Sequence, residues 1–315
     1  MIQDKEGLWR MMELYFWVFG SLVAGIVLAL VWRLVWGRKS ALPVGSVSGF
    51  TLAAPLLAVL SEIAIRLMDV SLLLPFDVPR YLSERYRDYG YTIPLLLGIL
   101  GLVLLAFPVR ARGGRGAAEL TRRSLVSFVR GRWFAPPSVL LALILFITIT
   151  AGAASQPDHE TGRYTMYFVD LGGERGMGTG IYGWFYSVPA MILMGILIVV
   201  TIVGLFLVAR PPLAEDREQD ICVRTTRCRN IIAAGTGALL LHLGLIFSSL
   251  AGTASVRSVF TTSEGPVKFW TTFSALEPTF IVASMLCAAL GAALWVSVGL
   301  SAIPSRRRAS IAVGP

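Results

Sequence analysis

"VPAMILMGILIVVTIVGLFLVA" runs from Val188 to Ala209 without a single charged side chain. Coiled as a helix rising 1.5 Å per residue, such a run is about 33 Å long, close to the thickness of a bilayer's hydrocarbon core. A backbone in lipid must satisfy its own hydrogen bonds, and one helix does so alone. This stretch therefore reads as a membrane crossing. Blocks of the same kind lie near Tyr15–Trp36, Val44–Leu67, Thr92–Val109, Pro137–Ala154, Ile231–Leu250 and Pro278–Ile303. The 315 residues are 55% hydrophobic and 15% charged, with a mean hydropathy of +0.70. A soluble domain is about a quarter charged. The widest gap between blocks is about 33 residues, less than a compact domain needs. The expected fold is an all-α integral membrane protein of about seven transmembrane helices, forming a single polytopic membrane domain over residues 1–315.

Charge sets the expected orientation. Basic residues accumulate on the inner side of a bacterial or organellar membrane. With the N-terminus outside and the C-terminus inside, the inner segments hold Arg33, Arg38, Lys39, the arginines from Arg110 to Arg132, Arg210, Arg217, Arg224, Arg227, Arg229 and Arg306 to Arg308. That is about 18 of the 28 basic residues, against about five of the 19 acidic ones. The basic excess is thus read as topology and contact with an anionic inner leaflet, and nucleic acid is excluded as a partner. The start, "MIQDKEGLWRMMELYF", is mixed in charge and leads into an apolar run too long for a signal peptide, so the first helix is expected to stay as an anchor. Multi-pass residence in a bacterial cytoplasmic membrane follows. Cys222, Cys228 and Cys287 all fall inside or within a span, away from the side where disulfides form. No metal or cofactor motif stands out.

The chain repeats itself. "YTIP" at Tyr91–Pro94 and "YSVP" at Tyr186–Pro189 open the third and fifth spans. "TITAGAAS" at Thr148–Ser155 and "SSLAGTAS" at Ser248–Ser255 close the fourth and sixth. Two parallel helical hairpins, 91–155 and 186–255, are the expected units of a duplication. The loops that follow them, "RYTMYFVDLGGERGMGTGIYGWFYS" and "VRSVFTTSEGPVKFWTTFS", combine β-prone runs with Gly-rich turns. They are expected to make a small extracytoplasmic β-hairpin cap, with their aromatic residues in the interfacial belt or the cap core, or on a surface for a ligand or partner. Two inner segments look like surface helices: "GAAELTRRSLVSFVRGRWF", which is basic and amphipathic, and "ARPPLAEDREQDICVRTTRCRN", which is expected to run on into the sixth span. Both are candidate docking sites for a cytoplasmic partner.

Ionisable residues at membrane depth are the candidate functional groups. Glu62, Arg66 and Asp69 stand at i, i+4 and i+7 on one helix face near the outer boundary. They read as a structural ion-pair ladder or as a substrate or ion entrance. His242, in "ALLLHLGLIF", lies near the middle of the sixth span. It reads as a packed, hydrogen-bonded imidazole or as part of a transport route. Glu277, before Pro278, is favoured by the positive helix end.

Several motif matches fail on context. Gly178-x-Gly180-x-x-Gly183 leads from a loop into a span, not from a strand into a helix. Glu84-Arg85-Tyr86 lies at the wrong end for a receptor motif, and the seventh span has no lysine for a Schiff base. "LHLGLIFSSLAG" is faintly similar to the histidine helix of rhomboid proteases, but no Gly-x-Ser-x motif opens the fourth helix. The functional expectation is an accessory or membrane-embedded subunit of a transport or cell-envelope complex, together with other membrane subunits or a separate cytoplasmic ATPase. The alternative is a self-sufficient secondary transporter or permease. A receptor, a sensor or an intramembrane enzyme comes behind both.

Overall fold

The computed structural model describes residues 2–35, 46–69, 79–107, 131–172, 175–209, 217–262 and 265–303, of which 81% are helical. Seven helices are long and apolar enough to cross a membrane, and the chain is a multi-pass membrane protein. The helices are α1 (Ile2–Val35), α2 (Ser46–Asp69), α3 (Arg80–Tyr89), α4 (Ile93–Ala106), α5 (Ala135–Ala154), α6 (Trp184–Ala209), α7 (Arg217–Ser255) and α8 (Glu277–Ser301). α3 and the 14-residue α4 share one membrane-length span, Arg80–Ala106, among the seven that the helices make. Three of them open on proline in the first turn, at Pro94, Pro136 and Pro278, where the missing N–H costs no helix hydrogen bond. The short amphipathic α3 was not foreseen. It joins α4 through a single 3-10 turn at Gly90–Thr92.

α7 is the axis of the bundle. Its apolar window is 78% buried, against 17% for α1, and its largest contact is with α8. It is unbroken for 39 residues, so the inner segment from Arg217 does continue into the sixth span. Lipid offers helices no hydrophobic reward for associating, so close backbone approach carries the packing. Gly25 shows it: a Cβ there would stand 2.4 Å from the Ala289 carbonyl of α8. Gly291 of α8 is similar, 3.1 Å from the Gly237 carbonyl of α7. The basic amphipathic segment around Leu125 and Phe128 lies outside the described residues, as do Pro212, Glu215 and Asp216.

Five strands gather at one pole. β1 (Gln156–Pro157), β2 (Tyr164–Gly172) and β3 (Arg175–Gly180) form one antiparallel sheet, with Tyr167 opposite Thr179. β4 (Arg257–Thr262) and β5 (Gly265–Trp270) form another, with Arg257 opposite Trp270. The expected single cap is thus two separate sheets. They meet through side chains: the Tyr167 hydroxyl lies 2.8 Å from Thr272 Oγ1, and its ring 5.5 Å from that of Phe273. A tight turn joins β1 to β2. Gly162 supplies its positive φ of 68°, and the Asp158 carboxylate accepts from the Thr161 hydroxyl at 2.7 Å. That bond holds the Asp158 carboxyl below its ordinary range.

Polar side chains tie both poles. At the hairpin pole Arg163 pairs with Asp88 of α3 at 3.1 Å and covers the Phe185 ring, and Thr253 donates to the Gly180 carbonyl at 2.7 Å. At the opposite pole α7 reaches the C-terminal ends of its neighbours. Arg224 donates to the last carbonyls of α6, Val208 and Ala209, and pairs with Asp220 at 2.8 Å. Arg227 donates to Leu105 and Phe107 at the end of α4, at 3.0 and 2.9 Å. Asn230 donates to Ser301 at 2.7 Å, and Arg33 of α1 to the carbonyls of Leu300 and Ile303. The final carbonyls of a helix lack partners within it and carry its negative partial charge, which a guanidinium answers on both counts. Arg224 and Arg227 are buried, at 0% and 6% exposure, and cap helices inside the protein instead of meeting lipid headgroups.

Candidate functional site

Two polar regions occupy the hairpin half of the bundle, on different faces of α7. The first surrounds His242, which is fully buried. Its Nδ1 lies 2.8 Å from the Tyr91 carbonyl, and Tyr91 sits in the 3-10 turn ahead of α4. A carbonyl only accepts, so Nδ1 carries the proton and Nε2 is left as an acceptor. The Tyr182 hydroxyl faces Nε2 at 3.4 Å, longer than an ordinary hydrogen bond. Tyr182 lies between β3 and α6 and is fully buried. Burial pushes its pKa above the ordinary tyrosine value, so it stays protonated and donates.

Two more hydroxyls, Ser187 of α6 and Thr148 of α5, neighbour Tyr182. Ser187 donates to the Gly183 carbonyl at 2.9 Å. Thr148 Oγ1 is buried and, among the described residues, has no hydrogen-bond partner. Aromatic edges close the region: the ring of Tyr91 lies 5.0 Å from those of Tyr182 and Tyr186. Thus the two tyrosines that open the repeated motifs face each other.

This arrangement uses both imidazole nitrogens in packing. Among the described residues no serine or cysteine is bonded to either nitrogen. Ser155 donates to the Gly152 carbonyl at 2.6 Å and accepts from the Trp184 amide at 3.4 Å, so its hydroxyl is engaged elsewhere. Tyr91, Thr148, Tyr182 and Ser187 had not been read as site residues. Tyr91 and Thr148 carried a signal, since both stand in the repeated motifs, whereas Tyr182 was counted with the interfacial aromatics. Its complete burial puts it in the core and not at an interface.

The second region is a cavity of about 270 Å³ between α1, α2, α7 and α8. Glu62 and Arg66 line it from α2, Ser248 from α7 and Ser284 from α8. Arg66 Nε and Nη2 donate to Glu62 Oε1 at 3.0 and 2.7 Å, and Nη1 donates to the Val18 carbonyl of α1. The pair is formed as the i, i+4 spacing requires. Its side chains are 9% and 13% exposed. Ser284 donates to the Gly244 carbonyl at 2.8 Å, and Ser248 is exposed at the cavity. Leu241, Ile281 and Met285 supply apolar wall.

The remaining sequence candidates fall apart from these regions. Asp69 is the last residue of α2, and its side chain lies outside what the structure describes. Glu277 is the first residue of α8 and pairs with Arg257 of β4 at 3.4 Å; it makes no side-chain cap. His242, Glu62 and Glu277 therefore each bond to different partners. Among the described residues no group of three or more His, Cys, Asp or Glu could hold a metal ion. No protein-family model, curated protein or solved structure matches the chain.

Proposed function

We propose that the chain is an accessory or membrane-embedded subunit of a transport or cell-envelope complex. In this reading it sits in a bacterial cytoplasmic membrane, N-terminus outside, with both hairpins on the extracytoplasmic side. One observation carries it: α7 is tied by polar side chains to its neighbours at both poles, through Arg224, Arg227 and Asn230 at one and His242 and Thr253 at the other. A bundle so cross-linked suits a rigid platform better than alternating access, which needs one part to rock against another about broken helices. The exposed Val259, Val267 and Trp270 of the second hairpin give such a platform an apolar surface for a partner. Any ATP-driven work belongs to a separate cytoplasmic ATPase subunit.

The test is purification from the native host in mild detergent, followed by mass spectrometry. A stoichiometric permease, ATPase or envelope protein is the expected result. A monodisperse chain alone, active in vesicles, would overturn the subunit reading. It would favour the second one, a self-sufficient transporter, which rests on the charged cavity beside Glu62 and Arg66. Reporter fusions after Gly172 and Pro315 check the orientation, with opposite sidedness expected for the two.

A further inference from the structure

We infer that the cavity between α1, α2, α7 and α8 binds a small zwitterion, a primary ammonium joined to a phosphate or carboxylate. The inference concerns the cavity itself and holds whether the chain works alone or within a complex. It starts from what the ion pair leaves unused. Both hydrogen bonds between Arg66 and Glu62 go to Oε1, and the third guanidinium bond goes to Val18. A guanidinium has five N–H groups, so two remain among the described residues, and the second carboxylate oxygen of Glu62 is outside the pair's bonding. The cavity wall thus offers donors bearing positive charge beside an acceptor bearing negative charge. A simple anion would find Glu62 in its way, and a simple cation would find Arg66. A molecule carrying both charges meets each with its opposite.

The rest of the lining agrees. The hydroxyls of Ser248 and Ser284 stand on the α7 and α8 sides, and Leu241, Ile281 and Met285 leave a wall suited to hydrocarbon. A volume of about 270 Å³ is at the small end for ligand sites, large enough for a headgroup or a free zwitterion and too small for a whole lipid. Glu62 asks for N–H donors. A primary ammonium supplies three, whereas a trimethylated one supplies none, so phosphoethanolamine chemistry is favoured over phosphocholine.

The full chain is reconstituted in nanodiscs of phosphatidylglycerol alone, or with phosphatidylethanolamine or phosphatidylcholine added. Bound lipid is read by native mass spectrometry and stability by melting temperature. Soluble O-phosphoethanolamine is titrated into the phosphatidylglycerol discs. Selective retention of phosphatidylethanolamine with no response to the soluble probe would assign a lipid headgroup. A rise in melting temperature with the soluble probe would assign a free solute. Ser248→Phe and Leu245→Trp fill the cavity without touching the ion pair, and each is expected to weaken binding about tenfold or more. Two results overturn the inference: no preference for either zwitterion in lipid or solution, or a preference that survives both filling variants.

Discussion

His242 and Arg66 are both ionisable residues at membrane depth, yet their surroundings differ. The imidazole is held by the Tyr91 carbonyl and faced by the Tyr182 hydroxyl, with both nitrogens engaged and no exposure. The guanidinium is also bonded, but it faces a cavity of about 270 Å³ and keeps donors in reserve. The same cost explains both. A polar group away from water is tolerated only when its bonding capacity is met. Around His242 the protein meets it with the Tyr91 carbonyl and the Tyr182 hydroxyl. Around Arg66 it meets most of it with Glu62 on the same helix and the Val18 carbonyl of α1, and among the described residues two N–H groups remain. Burial of a titratable group, then, marks a site only where its partners stop short of saturating it.

Four changes sharpen this contrast. The largest effect is expected from Arg66→Ala, which strands a buried carboxylate and costs about 3 kcal/mol. Melting temperature and membrane abundance should both fall, and exchanging the charges as Glu62→Arg with Arg66→Glu should recover part of the loss. Unaltered stability would show that Glu62 is solvated without its partner. His242→Leu comes next, at about 2 kcal/mol, because it removes the buried bond to the Tyr91 carbonyl and the acceptor that faces the Tyr182 hydroxyl. If the variant were as stable as the parent but inactive in the assembled complex, the packed cluster would have to be reassigned as a working site.

Thr148→Val should move the other way. Its hydroxyl has no hydrogen-bond partner among the described residues, so removal is expected to be neutral or stabilising by up to about 1 kcal/mol. Loss of stability would mean that the hydroxyl is bonded. The smallest effect concerns the turn that carries β1 into β2. The bond from Thr161 depresses the folded pKa of Asp158. Its contribution is therefore present above the ordinary carboxylate range and lost as pH falls through the depressed value. The protection of the Gly162 amide against hydrogen exchange, relative to an unfolded chain at the same pH, should fall in acid, and Thr161→Ala should remove that pH dependence.

Much of this was legible from residues alone. Seven spans emerged where expected, although the third and sixth begin earlier, at Arg80 and Asp220, and the Glu62–Arg66 pair formed because i, i+4 spacing makes neighbours on any helix. Hairpin turns were marked by their glycines. Less was visible wherever distant segments meet. Nothing local tells that Arg224 and Arg227 turn inward to the ends of α6 and α4, since a basic residue near a span end answers equally to lipid phosphate and to helix carbonyls. Nor could Tyr182 be told from the interfacial aromatics around it.

Composition by itself determined the solvent, the number of crossings and their approximate ends. The free energy of placing a segment in lipid is a sum over contiguous residues, and that sum can be taken along the chain. Which polar groups would share a partner belonged to the tertiary structure. His242 and Tyr91 are 151 residues apart, and their meeting depends on how α4, α6 and α7 pack through small residues. The cavity is likewise a property of four helices at once. Its walls are set by where side chains fail to fill space, and no single helix carries that information.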